Sequence, residues 1–302
     1  MAMERLPLIW RSSLAMGMLL LAGCSSHAPS TASGTGQPLE QRQGYWVDRS
    51  LHGKAVDHRI KSLVIHYTAV DDTESIKELT GPDVSIHYLI MSKPGRFQGK
   101  PVVMQLADEQ ARAWQAGNSS WAGRTGLNDT SIGIEIVNLG YRQTPHGRRY
   151  LPFTASQIQL VKALAKDIVT RYDIDPVNVV GHSDIAPGRK PDPGPLFPWQ
   201  QLAQAGVGAW PDQDKVKRYW QRFNERGLPS VSQLQKGLAR YGYRLAISGR
   251  LDADTRTVLE SFQKHFRPAD YQGNYDAQSA AILFALLEKY KGAALVHSIL
   301  GA

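Results

Sequence analysis

The sequence predicts an α/β domain built on a mixed central β-sheet flanked by helices, followed by a small all-α domain of three helices. Three observations predict it. Runs rich in β-branched residues recur at Ser62–Tyr67, Val84–Ile90, Val102–Leu106 and Ser131–Val137, each bounded by Gly, Pro, Asp or Asn. Helical patterns lie between and after these runs, and interleaved strands and helices are the mark of an α/β layer. Beyond position 228 the pattern turns wholly helical.

Each element has its own local reason. In Ser131–Val137, Ile132, Ile134 and Ile136 point to one face of a strand, and Ser131, Gly133, Glu135 and Val137 point to the other. Thr154 and Gln157 form a capping-box pattern. They open a helix whose apolar stripe is Ile158, Val161, Leu164, Ala165, Ile168 and Val169, and which ends before Pro176. Residues 228–243, 252–266 and 276–290 carry helical periodicity, with turns at Ser248-Gly249 and Gln272-Gly273-Asn274 between them. The residues from 207 to 227 are expected to be a linker containing one bridging helix. The α/β domain is expected over 44–206 and the helical domain over 228–302.

The N-terminus predicts export. Arg5 and Arg11 precede a short apolar stretch, Leu14 to Ala22, too short for the ~20 residues of a spanning helix. Leu21-Ala22-Gly23-Cys24 resembles the lipobox of bacterial lipoproteins, which implies a signal peptide over 1–23 and lipidation of Cys24. Ser25 after the cysteine, by the same resemblance, implies the outer membrane, with the protein facing the periplasm. Cys24 is the only cysteine, so no disulfide forms within one chain. The Ser/Gly/Ala/Pro-rich run that follows predicts a flexible tether over 24–43. The formal net charge of +8 is not gathered into a basic run, and the export signal argues against nucleic acid as a partner.

Three residues sit where strands meet loops: His66, His182 and Asp192. Two imidazoles and a carboxylate supply three ligands and leave the fourth tetrahedral position of zinc open to water. Prolines on both sides of Asp192 stiffen its loop. By residue type alone, a strand-end histidine is more often structural than a ligand.

The segment Val180-Gly181-His182-Ser183-Asp184 through Lys190-Pro191-Asp192-Pro193-Gly194-Pro195 to Trp199 resembles the signature of the N-acetylmuramoyl-L-alanine amidases of the second amidase family. Val64–Thr68, Val84–Ile90 and Asn128–Glu135 match the other motifs of that family in the same order, and the likeness spans about Tyr45 to Leu202. With the lipobox and helical domain added, the chain is most similar to outer-membrane lipoproteins of that family. The resemblance implies one Zn²⁺ per chain held by His66, His182 and Asp192. It implies Glu135 as the general base for a zinc-activated water and Lys190 as stabiliser of the oxyanion. A surface carboxylate and a solvated loop lysine are the plainer alternatives for those two.

His87, Asn118 and Trp121 are candidate substrate-groove residues, with a purely structural role open for His87 and core packing open for Trp121. Gln115 stands where many relatives carry His, which bears on substrate contacts and is expected to leave the metal site untouched. Residues 231–243, 248–255 and 259–263 resemble the three-helix peptidoglycan-binding domain of wall hydrolases, with Leu234, Leu238, Tyr241, Val258, Leu259 and Phe262 as its core. The implied partners are peptidoglycan or muropeptides and a membrane reached through Cys24; no feature calls for an obligate protein partner. Two other readings stay open: a non-catalytic peptidoglycan receptor, and a zinc peptidase cutting within the stem peptide.

Overall fold

The computed structural model describes residues 39–145 and 147–301. The signal-like stretch, Cys24 and most of the expected tether lie outside the described residues. Residues 39–56 belong to one compact unit and those from Asp57 onward to another. In the first, Glu40–Arg42 pairs antiparallel with Tyr45–Val47, so the chain is already ordered into a hairpin where the tether was expected to continue. No helix among the described residues is long and apolar enough to cross a membrane.

The second unit is built on a five-stranded sheet. Its strands are β1 (Ser62–Tyr67), β2 (Tyr88–Ile90), β3 (Met104–Gln105), β4 (Ser131–Ile136) and β7 (Val179–Gly181), in the order β7-β1-β4-β2-β3. The first four of that order run parallel and β3 runs antiparallel to β2, so the sheet is mixed, as expected. The strands expected at 84–90 and 102–106 are shorter than their apolar runs. A separate polar hairpin, β5 (Tyr141–Thr144) and β6 (Gly147–Tyr150), has no alternating apolar signal in its sequence.

β1 is buried along its whole length, as an interior parallel strand should be. One face of the sheet, with Leu63, Ile65, Ile132, Ile134 and Ile136, packs on Ile158, Val161, Ala165 and Ile168 of helix α2 (Ala155–Tyr172). Thr154 and Gln157 cap that helix reciprocally, as their spacing predicts. α1 (Asp72–Leu79) follows β1; the one-turn α3 (His182–Ile185) and α4 (Trp199–Gln204) follow β7.

The C-terminal region contains α5 (Gln213–Arg226), α6 (Val231–Tyr241), α7 (Ala253–Phe266), α8 (Ala277–Lys291) and α9 (Ala293–Leu300). Two expectations are corrected here. The helical region has more than three helices, and α5 is a member of the bundle and not a bridge. Its Tyr219 and Phe223, one turn apart, are buried against Phe284 of α8.

The helical region is not a module hung from the sheet domain. One continuous core holds Val64, Ala116, Trp121, Val180 and Ile185 together with Leu238, Tyr241, Tyr243, Leu259 and Phe262. Trp121 lies at the centre of this junction. Its indole is 2% exposed, donates Nε1–H to the Val177 carbonyl at 3.1 Å, and meets the rings of Tyr243 and Tyr241 edge-on at 4.9 and 6.0 Å. The expectation that Trp121 lines a substrate groove is therefore corrected: the ring packs the seam between sheet and helices.

A shared core predicts shared unfolding. Calorimetry of the full chain should give one transition for residues 57–301, and Trp121→Ala should cost about 3–5 kcal/mol in denaturant unfolding. Two separated transitions, or a substitution cost under about 1 kcal/mol, would contradict the fused core.

Candidate active site

Parallel register gathers the site. His66 of β1 stands directly opposite Glu135 of β4, so both side chains leave the same face of adjacent strands. β7 pairs Val180 with Val64, and His182 follows two residues later, as His66 follows Val64. Three neighbouring strands thus deliver His66, Glu135 and His182 to one row at their C-terminal ends, where open α/β sheets place ligands. Asp192 arrives by a loop that folds back on α3: the Ser183 amide donates to the Asp192 carbonyl at 2.8 Å.

His66 Nδ1, His182 Nδ1 and Asp192 Oδ2 lie 3.0–3.1 Å apart, and all three residues are buried. Bonds of about 2.0–2.1 Å to a tetrahedral ion would place such donors about 3.3 Å apart, so the cluster is near the size a zinc ion needs. The outer nitrogens decide the tautomers. His66 Nε2–H donates to Gln115 Oε1 at 2.5 Å, and His182 Nε2–H donates to the Ala116 carbonyl at 3.2 Å. The Gln115 amide is itself oriented, because its Nε2 donates to Ser131 Oγ, whose hydroxyl donates to the Leu127 carbonyl. With both Nε2 atoms engaged as donors, both Nδ1 lone pairs and the carboxylate converge on one point, an arrangement suited to a cation.

The electrostatics agree. Burial pushes the Asp192 carboxyl up, but His182 and His66 beside it outweigh burial and hold it below the usual carboxylate range. Burial alone drags His66 down, yet the hydrogen bond to Asp192 and the nearby Glu135 raise it. Burial keeps His182 below the usual imidazole range.

Glu135 differs from its neighbours. Burial pushes its carboxyl up to about 8, with His66 opposing the rise and Asp192 adding to it. Its Oε2 is buried and has no hydrogen-bond partner among the described residues. Such an atom is costly unless a bound molecule completes it. Glu135, His182 and Asp192 open onto a cleft of ≈340 Å³ walled by Tyr67, Glu78, Val84, Trp114, Tyr141 and Lys190. The structure therefore brings Lys190, on the exposed stretch of the Asp192 loop, to the cleft that holds Glu135.

Other expectations change. His87 is fully buried, accepts from the Gly133 amide at 3.0 Å through Nδ1 and lies 3.3 Å from the Ala111 carbonyl through Nε2. It ties β4 to the loop before it and does not line the cleft. Asn118 is exposed and lies outside the cleft lining, where its carbonyl accepts from Arg189 at 2.9 Å. Gln115, expected to leave the metal site untouched, is the residue that fixes the tautomer of His66. Gly133 makes room for it: a Cβ there would lie 3.0 Å from the Gln115 side chain and 2.4 Å from Ile86. Sequence reasoning also missed Arg189, which braces the Ala116 carbonyl at 2.8 Å.

Comparison with known proteins agrees with this geometry. Residues 56–195 match the family model described as N-acetylmuramoyl-L-alanine amidase, and residues 228–283 match a peptidoglycan-binding domain model. The chain is 47% identical over 277 residues to the N-acetylmuramoyl-L-alanine amidase AmiD of Escherichia coli, covering 92% of this chain and 97% of that protein. It is similar to the solved complex of AmiD with anhydro-N-acetylmuramic acid-L-Ala-D-γ-Glu-L-Lys, with a TM-score of 0.77 and 48% identity over 84% of this chain and 98% of that one. AmpDh3 of Pseudomonas aeruginosa, solved with anhydromuramic pentapeptide, aligns with a TM-score of 0.75 and 44% identity, covering 81% of this chain and 98% of that one. Sheet, ligand cluster and near-complete alignment lead to one conclusion: the chain belongs to the N-acetylmuramoyl-L-alanine amidases of the second amidase family, with a peptidoglycan-binding-type helical domain joined to the catalytic fold.

Proposed function

We propose that this chain is a zinc-dependent amidase that hydrolyses the bond between N-acetylmuramic acid and L-alanine in peptidoglycan or muropeptides. The observation that carries the proposal is the unpartnered Oε2 of Glu135, a residue lining a cleft shared with His182 and Asp192. His66, His182 and Asp192 would hold the ion. When bound, zinc lowers the pKa of a water molecule and polarises a carbonyl. Glu135 accepts the proton from the attacking water as its oxygen bonds to the lactyl carbonyl carbon. It then delivers that proton to the L-alanine nitrogen as the C–N bond breaks. Lys190 supplies positive charge to the oxyanion that forms between the two steps. The complexes of AmiD and AmpDh3 with anhydromuramyl peptides support the substrate class. The complete ligand set beside Glu135 speaks against a non-catalytic receptor, because a receptor has no use for a buried, proton-accepting carboxylate.

The lipobox-like Leu21-Ala22-Gly23-Cys24 supports anchoring through Cys24 to the outer membrane, facing the periplasm, where peptidoglycan lies within reach of a tethered enzyme. The residues concerned are outside the described part of the chain.

Two outcomes test this reading. Glu135→Gln should lower the release of lactyl-linked glycan and of peptides with an L-alanine N-terminus by about 10²–10⁴-fold while one zinc per chain is retained. Shortened peptides on intact glycan would instead indicate a peptidase. The second outcome concerns pH in chelator-treated protein. The folded-state pKa of Glu135 lies above its unfolded value, so its contribution to stability is complete below the unfolded pKa and is lost as pH rises through about 8. Glu135→Gln removes that loss. Its denaturation midpoint, relative to wild type, should therefore rise between pH 5.5 and pH 8.5; an unchanged difference would show that Glu135 does not carry the raised pKa.

A further inference from the structure

The seam between sheet and helices contains a polar cluster that neither a peptidoglycan-binding module nor the hydrolytic step explains. Asp184, in the one-turn helix that begins with His182, is 1% exposed and accepts three hydrogen bonds. The Gly181 amide donates to Oδ2 at 2.8 Å, Tyr243 Oη donates to Oδ1 at 2.6 Å, and His265 Nδ1–H donates to Oδ2 at 2.7 Å. The first donor precedes the ligand His182. The other two come from the helical region, 59 and 81 residues away.

The donors are themselves fixed. His265 stacks on Trp199 with ring centroids 3.8 Å apart and planes 14° from parallel. Tyr243 packs edge-on against Trp121 at 4.9 Å. A few residues on, Gly188 lies so close to α7 that a Cβ on it would be 2.8 Å from Thr257 Cγ2, at a φ of +75°. One face of α7 therefore underlies the loop that carries both His182 and Asp192. The Ser183 amide, bonded to the Asp192 carbonyl, passes the constraint from one ligand to the other. Burying a carboxylate is expensive, and three donors are what make it tolerable. Removing one donor from the helical region leaves Asp184 under-satisfied and loosens the turn at Gly181 that aims the His182 ring.

We propose that the helical region is a structural part of the metal centre, with Tyr243 and His265 acting through Asp184 as positioning residues for His182. The proposal rests on the zinc site described under the proposed function. Supporting contacts of this kind around metal ligands set affinity as well as orientation, and their loss typically costs about 10–100-fold in metal binding.

The test is zinc affinity of the full chain, measured by competition with a chromophoric chelator, together with the rise in thermal midpoint on adding zinc. Tyr243→Phe, which deletes one hydroxyl and keeps the ring, and His265→Ala should each weaken zinc binding about tenfold or more and shrink the zinc-induced rise. His265→Asn, which keeps an N–H near the position of Nδ1, should recover most of the loss. Tyr275→Phe, which breaks a bond to the Pro229 carbonyl wholly inside the helical region, should bind zinc as wild type does. Wild-type affinity in Tyr243→Phe and His265→Ala would overturn the inference and leave the zinc site standing. Equal weakening by Tyr275→Phe would reduce the effect to general destabilisation and overturn it too. A wild-type chain that binds no zinc would overturn the proposed function itself.

Discussion

Two imidazole lone pairs and a carboxylate oxygen are held within 3.1 Å of one another in a buried corner, with the protons of both rings directed away from the point where they meet. Without a positive charge among them such donors repel, so the surrounding structure has to impose the arrangement. Much of the fold serves that end. Parallel register puts His66 and Glu135 side by side and brings His182 into line. Gln115 and the Ala116 carbonyl take the outer nitrogens, and the Ser183 amide secures the loop of Asp192.

Burial pushes up both carboxylates of the site, but only one of them has neighbours that outweigh it. Asp192 touches both imidazoles and stays ionised despite its burial. Glu135 has no hydrogen-bond partner for its Oε2 among the described residues, and the same burial pushes it up to about 8. One carboxylate is thereby suited to holding a cation and the other to taking and returning a proton. The division of roles follows from what each carboxyl touches, since both groups start from similar intrinsic acidity.

What was legible in the sequence was whatever local pattern encodes. Motifs resembling those of the family, in the same order, announced His66, Glu135, His182 and Asp192, and the capping box at Thr154 announced α2. What was illegible depends on partners distant in the chain. Gln115 looks like a groove residue until Ser131 is seen to turn its carbonyl toward His66. Trp121 and His87 sit in matching motifs, yet their surroundings are core, and only the packing of Tyr241, Tyr243 and Gly133 around them reveals it. The helix at 213–226 reads as a bridge because a single amphipathic stripe does not say which neighbour will cover it; here Phe284 does. Asp184 carries no signal at all beyond its nearness to His182, because its donors lie in another structural region.

The central claim is that these three donors bind one ion through Nδ1, Nδ1 and a carboxylate oxygen. Anomalous diffraction at the zinc edge from crystals of the full chain tests it most directly. The expected result is a single strong peak with His66 Nδ1, His182 Nδ1 and Asp192 Oδ2 about 2.0–2.2 Å away and one side open to the cleft. Ligation through either Nε2, or the absence of any peak between the three side chains, would contradict it.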